Sequence, residues 1–311
     1  MKPIRSTLLP SLVVATLIAA PDKRANAAQR IVSPSPEIGV SVPNRFAGAT
    51  AASGEWLLVG APGEDGASAA NAGAADVYRF NGSVHALVSR LNTADAGSDD
   101  EFGRVLAIDG DVAVIGAPED DPAAVLGAGS AHVFERNGSV WEQRAKLVAP
   151  DGRTADGFVT SVAVSGDLNV IGAPSDDIDG IGVNVGSAHV FERIGGDWNY
   201  ALRLLPRDAA INNRFAESVA VPGDRVLIGS PDVDNGAGAV HAYRFDGLTA
   251  SFEQRLVAAN REDFDAFGAA SSMDGATILI DASKRSGAAG ATLARGMFSR
   301  APDRSGRNRP C

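Results

Sequence analysis

Residues 102–118 read FGRVLAIDGDVAVIGAP, and the same frame recurs along the chain. Each copy begins with a phenylalanine, has a glycine eight residues later and, in four copies, a second glycine after fourteen. That second glycine opens Gly-Ala-Pro three times and Gly-Ser-Pro once, whereas Asp281 stands there in the last copy. The phenylalanines, spaced by 56, 56, 57 and 52 residues, are Phe46, Phe102, Phe158, Phe215 and Phe267. One glycine spacing that holds through five copies and a second that holds through four indicate a repeat protein.

Each copy is predicted to form four short antiparallel strands. In the third copy, residues 161–164 lead into a tight turn at Gly166, and residues 168–171 return. A third strand follows at 187–193, and a fourth begins at Trp198. The fold class is therefore all-β, with a four-stranded meander as the repeating unit.

One such meander cannot bury both of its faces, so the copies are predicted to pack on one another as the blades of a β-propeller. We expect each repeat phenylalanine to lie between blades, and each Gly-Ala-Pro glycine to mark a bend or a close approach to a neighbour. Residues 28–35 resemble a fourth strand, because 29–34 match 145–150. They are predicted to pair with the last blade and close a ring of five.

The fifth copy is the weakest, and two interpretations stay open for it. No third or fourth strand is evident after residue 283, and residues 285–311 are predicted to be an irregular, arginine-rich tail. The last blade is then either degenerate or the remnant of a longer propeller.

The first 27 residues resemble a secretory signal peptide. Lys2 and Arg5 precede an apolar run over 8–20, and Ala25-Asn26-Ala27 fits a cleavage site. The apolar run is short for a membrane span. We expect residues 28–311 to be the propeller, located in the periplasm, at the cell surface or in the medium, with no membrane span after cleavage. Cys311, the single cysteine, leaves no pair for an intrachain disulfide.

The charge balance restricts the partners. A formal net charge of −10 at pH 7 disfavours non-specific binding to nucleic acid or to anionic lipid. An acidic surface is instead compatible with cations or basic partners.

The order Phe-Gly, strand, Gly-Ala-Pro resembles the FG-GAP repeats of integrin α-subunit propellers and their bacterial relatives. Phe102-Gly103 with Gly116-Ala117-Pro118 is the fullest match, and the resemblance covers about residues 44–283. It implies adhesion or ligand recognition by loops on one face, often with calcium. The integrin-type calcium loop lies between Phe-Gly and Gly-Ala-Pro. In this sequence that interval holds only a tight turn, so no residue here is assigned the role of an integrin calcium ligand.

Acidic residues gather instead after Gly-Ala-Pro. Alternating carboxylates beside a glycine resemble half of a calcium loop, although the distal bidentate glutamate is missing. The candidate calcium ligands are Asp176, Asp177, Asp179, Asp232 and Asp234. The alternative is a set of solvated acidic turns.

His132, His189 and His241 occupy the same third-strand position in successive copies. We expect a shared surface or interblade position for them, because a joint ligand role would need them to converge from different blades. Trp141 and Trp198 begin fourth strands and are expected to pack between blades, with a carbohydrate platform as the alternative.

The catalytic motifs sought are missing from the sequence: no Gly-x-Ser-x-Gly, no His-Glu-x-x-His and no phosphate-binding glycine loop. The sequence therefore predicts an exported binding or adhesion module for an extracellular protein or glycan. Two alternatives stay open: a carbohydrate-active hydrolase or lyase that uses acidic loop residues such as Asp177 and Asp234, and a scaffold fragment of a larger protein.

Overall fold

The structure is a computed structural model that describes residues 31–34, 44–67, 69–259, 261–274, 277–283 and 289–294. Its strands form five antiparallel sheets, four of four strands and one of three, which we number as blades in chain order. Blade 1 comprises β1 (Thr50–Ser53), β2 (Trp56–Ala61), β3 (Ala74–Phe80) and β4 (His85–Leu91). Blade 2 comprises β5 (Val105–Asp109), β6 (Val112–Ala117), β7 (Ser130–Asn137) and β8 (Val140–Leu147). Blade 3 comprises β9 (Ser161–Ser165), β10 (Leu168–Ala173), β11 (Ser187–Ile194) and β12 (Asp197–Leu204). Blade 4 comprises β13 (Ser218–Ala220), β14 (Arg225–Ser230), β15 (Ala239–Phe245) and β16 (Ala250–Leu256), and blade 5 comprises β17 (Phe267–Asp274), β18 (Thr277–Ser283) and β19 (Ala289–Ala294).

The blades stack in chain order, as in a β-propeller. Within each sheet the strands follow one another in simple meander order, so the first and last strands are the edges. The first strand of each blade contacts the first strand of the next, which places these strands on the inside. Short helical turns at Pro122–Ala124 and Val233–Gly236 lie in loops. Within the described ranges, no helix is both long and apolar enough to cross a bilayer.

The hydrophobic core lies between blades. Phe102 is fully buried, and it packs with Leu58 of blade 1 and Ile115 of its own blade. Phe158 and Phe215 lie likewise at the junctions between blades 2 and 3 and between blades 3 and 4. The second strands of blades 1 to 4 are buried along their whole length, because each contributes side chains to two junctions. The interblade position predicted for the repeat phenylalanine is confirmed.

The Gly-Ala-Pro glycine is a site of close interblade approach. A Cβ atom added to Gly172 would lie closer than 3.0 Å to the main-chain oxygen of Ala216, the residue after the next blade's phenylalanine. Gly60 faces the oxygen of Gly103 in the same way. The amide of Ala216 also donates to the carbonyl of Gly229 in its own blade, at 2.9 Å. Close approach therefore explains the glycine, as predicted.

Blade 5 differs from the sequence prediction. Residues 289–294, predicted to belong to an irregular tail, form the third strand β19 and pair with β18 from Ile278↔Ala294 to Ser283↔Ala289. The segment AGATLA has little of the β-branched or aromatic character that identifies a strand. Its pairing with β18 shows that the sheet continues regardless of that weak propensity.

The N-terminal segment lies against blade 1. Ile31 and Phe46 both pack against the cluster that contains Leu57 and Val59 of β2. Leu91 of β4 occupies the corresponding place at the next junction, against Phe102 and Ile115. Ile31 therefore packs against blade 1 as Leu91, from the fourth strand of blade 1, packs against blade 2. Residues 31–34 form no strand, and the rest of the predicted closing segment 28–35 lies outside the described residues, so ring closure stays a prediction.

Replacing Ile31 with alanine is expected to destabilise the protein by about 2 kcal/mol, because the side chain fills the apolar face of blade 1. Val32, which is 56% exposed, provides the matched control, and Val32→Ala is expected to cost less than about 0.5 kcal/mol. Deletion of 28–35 should lower the melting temperature at least as much as Ile31→Ala. Thermal melts of the mature chain measure all three, and equal melting temperatures would contradict this packing role.

Candidate functional site

The antiparallel meander places two kinds of connection at one end of the propeller. Loops between second and third strands share this end with the linkers between blades, whereas the tight hairpins lie at the opposite end. We call these the loop end and the hairpin end. At the loop end the inner loops are 62–73, 118–129, 174–186 and 231–238, and the linkers are 92–104, 148–160, 205–217 and 257–266.

Main-chain hydrogen bonds hold the inner loops of blades 1, 3 and 4 against the next blade. The amide of Phe102 donates to the carbonyl of Ala72 at 3.1 Å, and that of Phe215 donates to Val185 at 3.0 Å. The glycine before each third strand allows this approach. Gly186 has φ +83°, and a Cβ there would overlap the backbone of Phe215. This glycine precedes the third strand in four copies, but no role was predicted for it from the sequence.

The five predicted calcium ligands lie in the inner loops of blades 3 and 4. Asp176 is buried beside Arg203, whose Nη1 donates to it at 3.5 Å. Asp177 is exposed and accepts the amide of Asn184 at 2.8 Å. The Asp179 side chain is 88% exposed and pairs with Arg153 at 3.2 Å.

The blade 4 candidates also face arginines. Asp232 lies 3.9 Å from Arg214, and Asp234 accepts from Arg255 at 2.5 Å and from Arg261 at 2.6 Å. The hydrogen bond from Arg255 is the main cause that lowers the pKa of Asp234. Within the described part of the chain, no group of three or more His, Cys, Asp or Glu side chains has the arrangement of a metal site. Calcium stays a prediction, and at Asp234 it would compete with two guanidinium groups.

A cation on the fourth strand links two carboxylates at three junctions, those of blades 1 and 2, of blades 2 and 3, and of blades 3 and 4. Lys146 donates at 2.6 Å to Asp95 of the preceding linker and also contacts Asp120 of its own inner loop at 2.6 Å. Burial alone would raise the pKa of Asp95, but hydrogen bonds from Lys146 and Thr93 outweigh it and lower the pKa to about 2. Arg203 likewise bridges Asp151 and Asp176. Much of the acidic clustering after Gly-Ala-Pro therefore serves interblade ion pairs.

The recurring histidines are buried interblade residues, as expected. The ring of His132 contacts Phe102 edge-on with centroids 5.3 Å apart, and Nε2 lies 2.9 Å from the hydroxyl of Ser130. His189 repeats this contact with Phe158. Burial lowers the pKa of His132 and of His189 to about 4, so both imidazoles are neutral at pH 7.

The Ser-His-Asp grouping in blade 2 does not have the geometry of a nucleophile. In a catalytic triad the carboxylate holds Nδ1 while Nε2 faces the serine. Here Asp120 accepts from the Ser130 hydroxyl, and Nδ1 of His132 lies 3.1 Å from the amide nitrogen of Gln143. Ser130 and His132 are both completely buried. We infer that this group joins the blades and does not meet a substrate.

Trp141 packs between blades, as predicted. It is buried and meets Trp56 of blade 1 edge-to-face with ring centroids 5.8 Å apart. Arg136 lies over the Trp56 ring at 4.6 Å. Trp198 is half-buried, and its Nε1 donates to Glu135 of blade 2 at 3.2 Å. These rings occupy junctions rather than an open platform.

A polar residue lies two positions before each repeat phenylalanine, and its burial was not predicted from the sequence. All five side chains there are buried: Asn44, Asp100, Asp156, Asn213 and Asp265. A carboxylate oxygen of Asp156 accepts the amide of Arg153 at 2.8 Å, which shapes the linker. Burial raises the pKa of Asp156 to about 6. The constant offset from the phenylalanine was the available signal.

Apolar side chains are exposed at the loop end of blades 3 and 4. Ile181 and Val183 lie at the tip of an inner loop, and Ile211 covers Gly182 from the following linker. These three residues are the loop-tip patch. The amide of Asn212 donates to the carbonyl of Val183 at 3.0 Å, which fixes the two segments together. At the next junction Phe264 is exposed over Gly236 in the same manner.

Comparison with known protein families gives matches to the FG-GAP repeat at residues 86–134, 141–191 and 198–243. Each match begins in the fourth strand of one blade and ends in the third strand of the next. The matched unit therefore spans an interblade junction, where the phenylalanine, the Gly-Ala-Pro glycine and the histidine lie. A comparison with curated proteins gives no match.

Proposed function

Because this chain is an FG-GAP repeat protein, we propose that it is an exported binding module whose loop end recognises an extracellular protein or glycan. Residues 1–27 are the proposed export signal, removed before the propeller folds. The observation that carries the binding proposal is the loop-tip patch, in which three apolar side chains are exposed on loops fixed by main-chain hydrogen bonds.

Rigidity supports this proposal. The inner loop of blade 3 closes on itself, since the amide of Ile178 donates to the carbonyl of Gly182 at 3.0 Å. Val185 of the same loop is fully buried and accepts from the next blade. A preformed apolar surface loses little conformational entropy on binding. Apolar side chains that remain exposed on such a surface are typical of recognition sites.

The proposal is tested with the mature chain on arrays of immobilised glycans and purified extracellular proteins. The double variant Val183→Ser/Ile211→Ser removes apolar contacts from the loop end, and we expect it to weaken binding about tenfold or more. Val140→Ser/Ile194→Ser is the matched control, because both residues are more than half exposed at hairpins. Equal binding by the two variants, or release of a product from a retained glycan, would count against the proposal.

A further inference from the structure

Blade 5 exposes an apolar position that is buried in every other blade. Twelve residues after the repeat phenylalanine, the second strand carries a side chain that faces the next blade. On blades 1 to 4 this side chain is completely buried, and the residues are Leu58, Val114, Val170 and Leu227. Leu279 holds the position on β18 and is 46% exposed. The face of blade 5 that is turned away from blade 4, which we call the outer face, is therefore not covered by a further blade.

A carboxylate distinguishes the outer face from the corresponding faces of the other blades. Asp281 replaces the Gly-Ala-Pro glycine and lies on the same side of β18 as Leu279, because strand residues two apart point the same way. A Cβ at Gly60, Gly172 or Gly229 would overlap a main-chain oxygen of the next blade. Asp281 has that Cβ and a negative charge as well. A next blade therefore cannot approach the outer face in the way that blades 2, 4 and 5 approach their neighbours.

The same argument disfavours blade 1 as the neighbour of the outer face, whether from this chain or from a second copy. Ala47 follows the repeat phenylalanine of blade 1, so its carbonyl oxygen would meet the carboxylate of Asp281. A symmetric dimer through this face would bring two Asp281 carboxylates into one interface. Ring closure through residues 28–35 would require a junction of another geometry. An occupant of the outer face must instead offer a cation or hydrogen-bond donor beside an apolar group.

The chain that follows β19 has both groups and begins beside this face. Ala294 pairs with Ile278, so the chain leaves β19 next to Leu279. Phe298 comes four residues after Ala294, and Arg300 comes six residues after it. Six extended residues span up to about 20 Å, whereas Asp281 lies three residues, or about 10 Å, along β18 from Ile278. Both side chains are therefore within reach of the outer face.

We propose that residues 296–302 fold back over the outer face of blade 5, with Phe298 on Leu279 and Arg300 beside Asp281. Gly296 supplies the conformational freedom for the reversal. Phe298 then takes the place that the phenylalanine of the next blade holds at the other junctions, and Arg300 donates where a carbonyl would be repelled. A terminal repeat needs such a cap because one of its faces has no neighbour. This cap lies on blade 5, so it can fail without affecting the recognition proposed for blades 3 and 4.

The reactivity of a thiol at position 279 measures the cap. In residues 28–311, Leu279→Cys/Cys311→Ser leaves a single cysteine, whose reaction with the aromatic disulfide dithionitrobenzoate is followed by absorbance. Removal of 295–311 from this variant should raise the rate about fivefold, the factor expected if the capped state is about four-fifths populated. Phe298→Ser should raise it by a similar factor.

Two further comparisons separate the cap from a general loosening of blade 5. Asp281→Asn and Arg300→Gln, each added to the reporter variant, should both raise the rate, and the two together should raise it no more than one alone, because they remove one pair. Leu227→Cys/Cys311→Ser places the thiol at the equivalent buried position of blade 4. That thiol should stay unreactive with and without residues 295–311.

Four outcomes would overturn the proposal. The first is an unchanged rate at position 279 after removal of 295–311. The second is a larger rise on deletion of 28–35, which would show that the N-terminal segment and blade 1 cover this face. The third is a rate that falls with increasing protein concentration, which would show that a second copy covers it. The last is a reaction at position 227 after truncation, which would show that blade 5 had loosened.

Discussion

Replacing Gly172 or Gly229 with alanine is expected to destabilise the propeller by about 3 kcal/mol or more. A Cβ at either position would overlap a main-chain oxygen of the next blade, that of Ala216 or of Gly268. Main-chain atoms cannot move away by a rotamer change, so the two blades must separate. Urea denaturation followed by circular dichroism measures the loss as a lower midpoint.

Hairpin glycines provide the control for this prediction. Gly166 and Gly223 have positive φ, and a Cβ added there meets nothing within 4 Å. Alanine at either position should cost about 1 kcal/mol, which is the conformational penalty alone. If Gly172→Ala were no more destabilising than Gly166→Ala, close interblade packing at Gly-Ala-Pro would be wrong.

Acidification from pH 7.5 to pH 5 is expected to cost about 2 kcal/mol of stability for each of His132 and His189. Burial lowers the folded-state pKa of both to about 4, whereas an unfolded histidine titrates near 6.5. Between these values the unfolded chain binds more protons, so stability is fully present above pH 6.5 and is lost as the pH falls towards 4. Asp156, with a pKa raised to about 6, offsets about 1 kcal/mol over the same range.

Comparison of variants isolates the histidine contribution. His132→Gln should flatten the pH dependence of the unfolding free energy by about 2 kcal/mol between pH 7.5 and 5, since the contribution of Asp156 cancels in the comparison. His85 is only half-buried, and His85→Gln should change the slope much less. An unchanged slope in His132→Gln would show that this imidazole is not held neutral by burial.

The repeat frame predicted the architecture because each of its two recurring residues has its own packing role between neighbouring blades. Phe158 fills the space between two blades, and Gly172 permits the backbone of the next blade to approach. Ser130 and His132 lie two residues apart on β7 and therefore point to the same face. Their burial depended on the neighbouring blade, which a single repeat does not reveal.

Other features depended on contacts that residue type does not indicate. β19 forms from alanine, glycine and threonine because β18 supplies its hydrogen-bonding partner. The acidic loops resembled cation sites, yet Lys146 and Arg203 approach their carboxylates from a distant strand. The exposure of Ile211 follows from the fold of the inner loop beneath it at Gly182. Neither loop segment has a periodic pattern from which that surface could be predicted.

Hydrogen–deuterium exchange with and without a captured ligand tests the central claim, that the loop end of blades 3 and 4 is the recognition surface. We predict slower exchange in the inner loops 174–186 and 231–238 and in the linkers 205–217 and 257–266. Exchange at the hairpins around Gly138 and Gly195 should stay unchanged. Protection confined to those hairpins, with the loop end unaffected, would contradict the account.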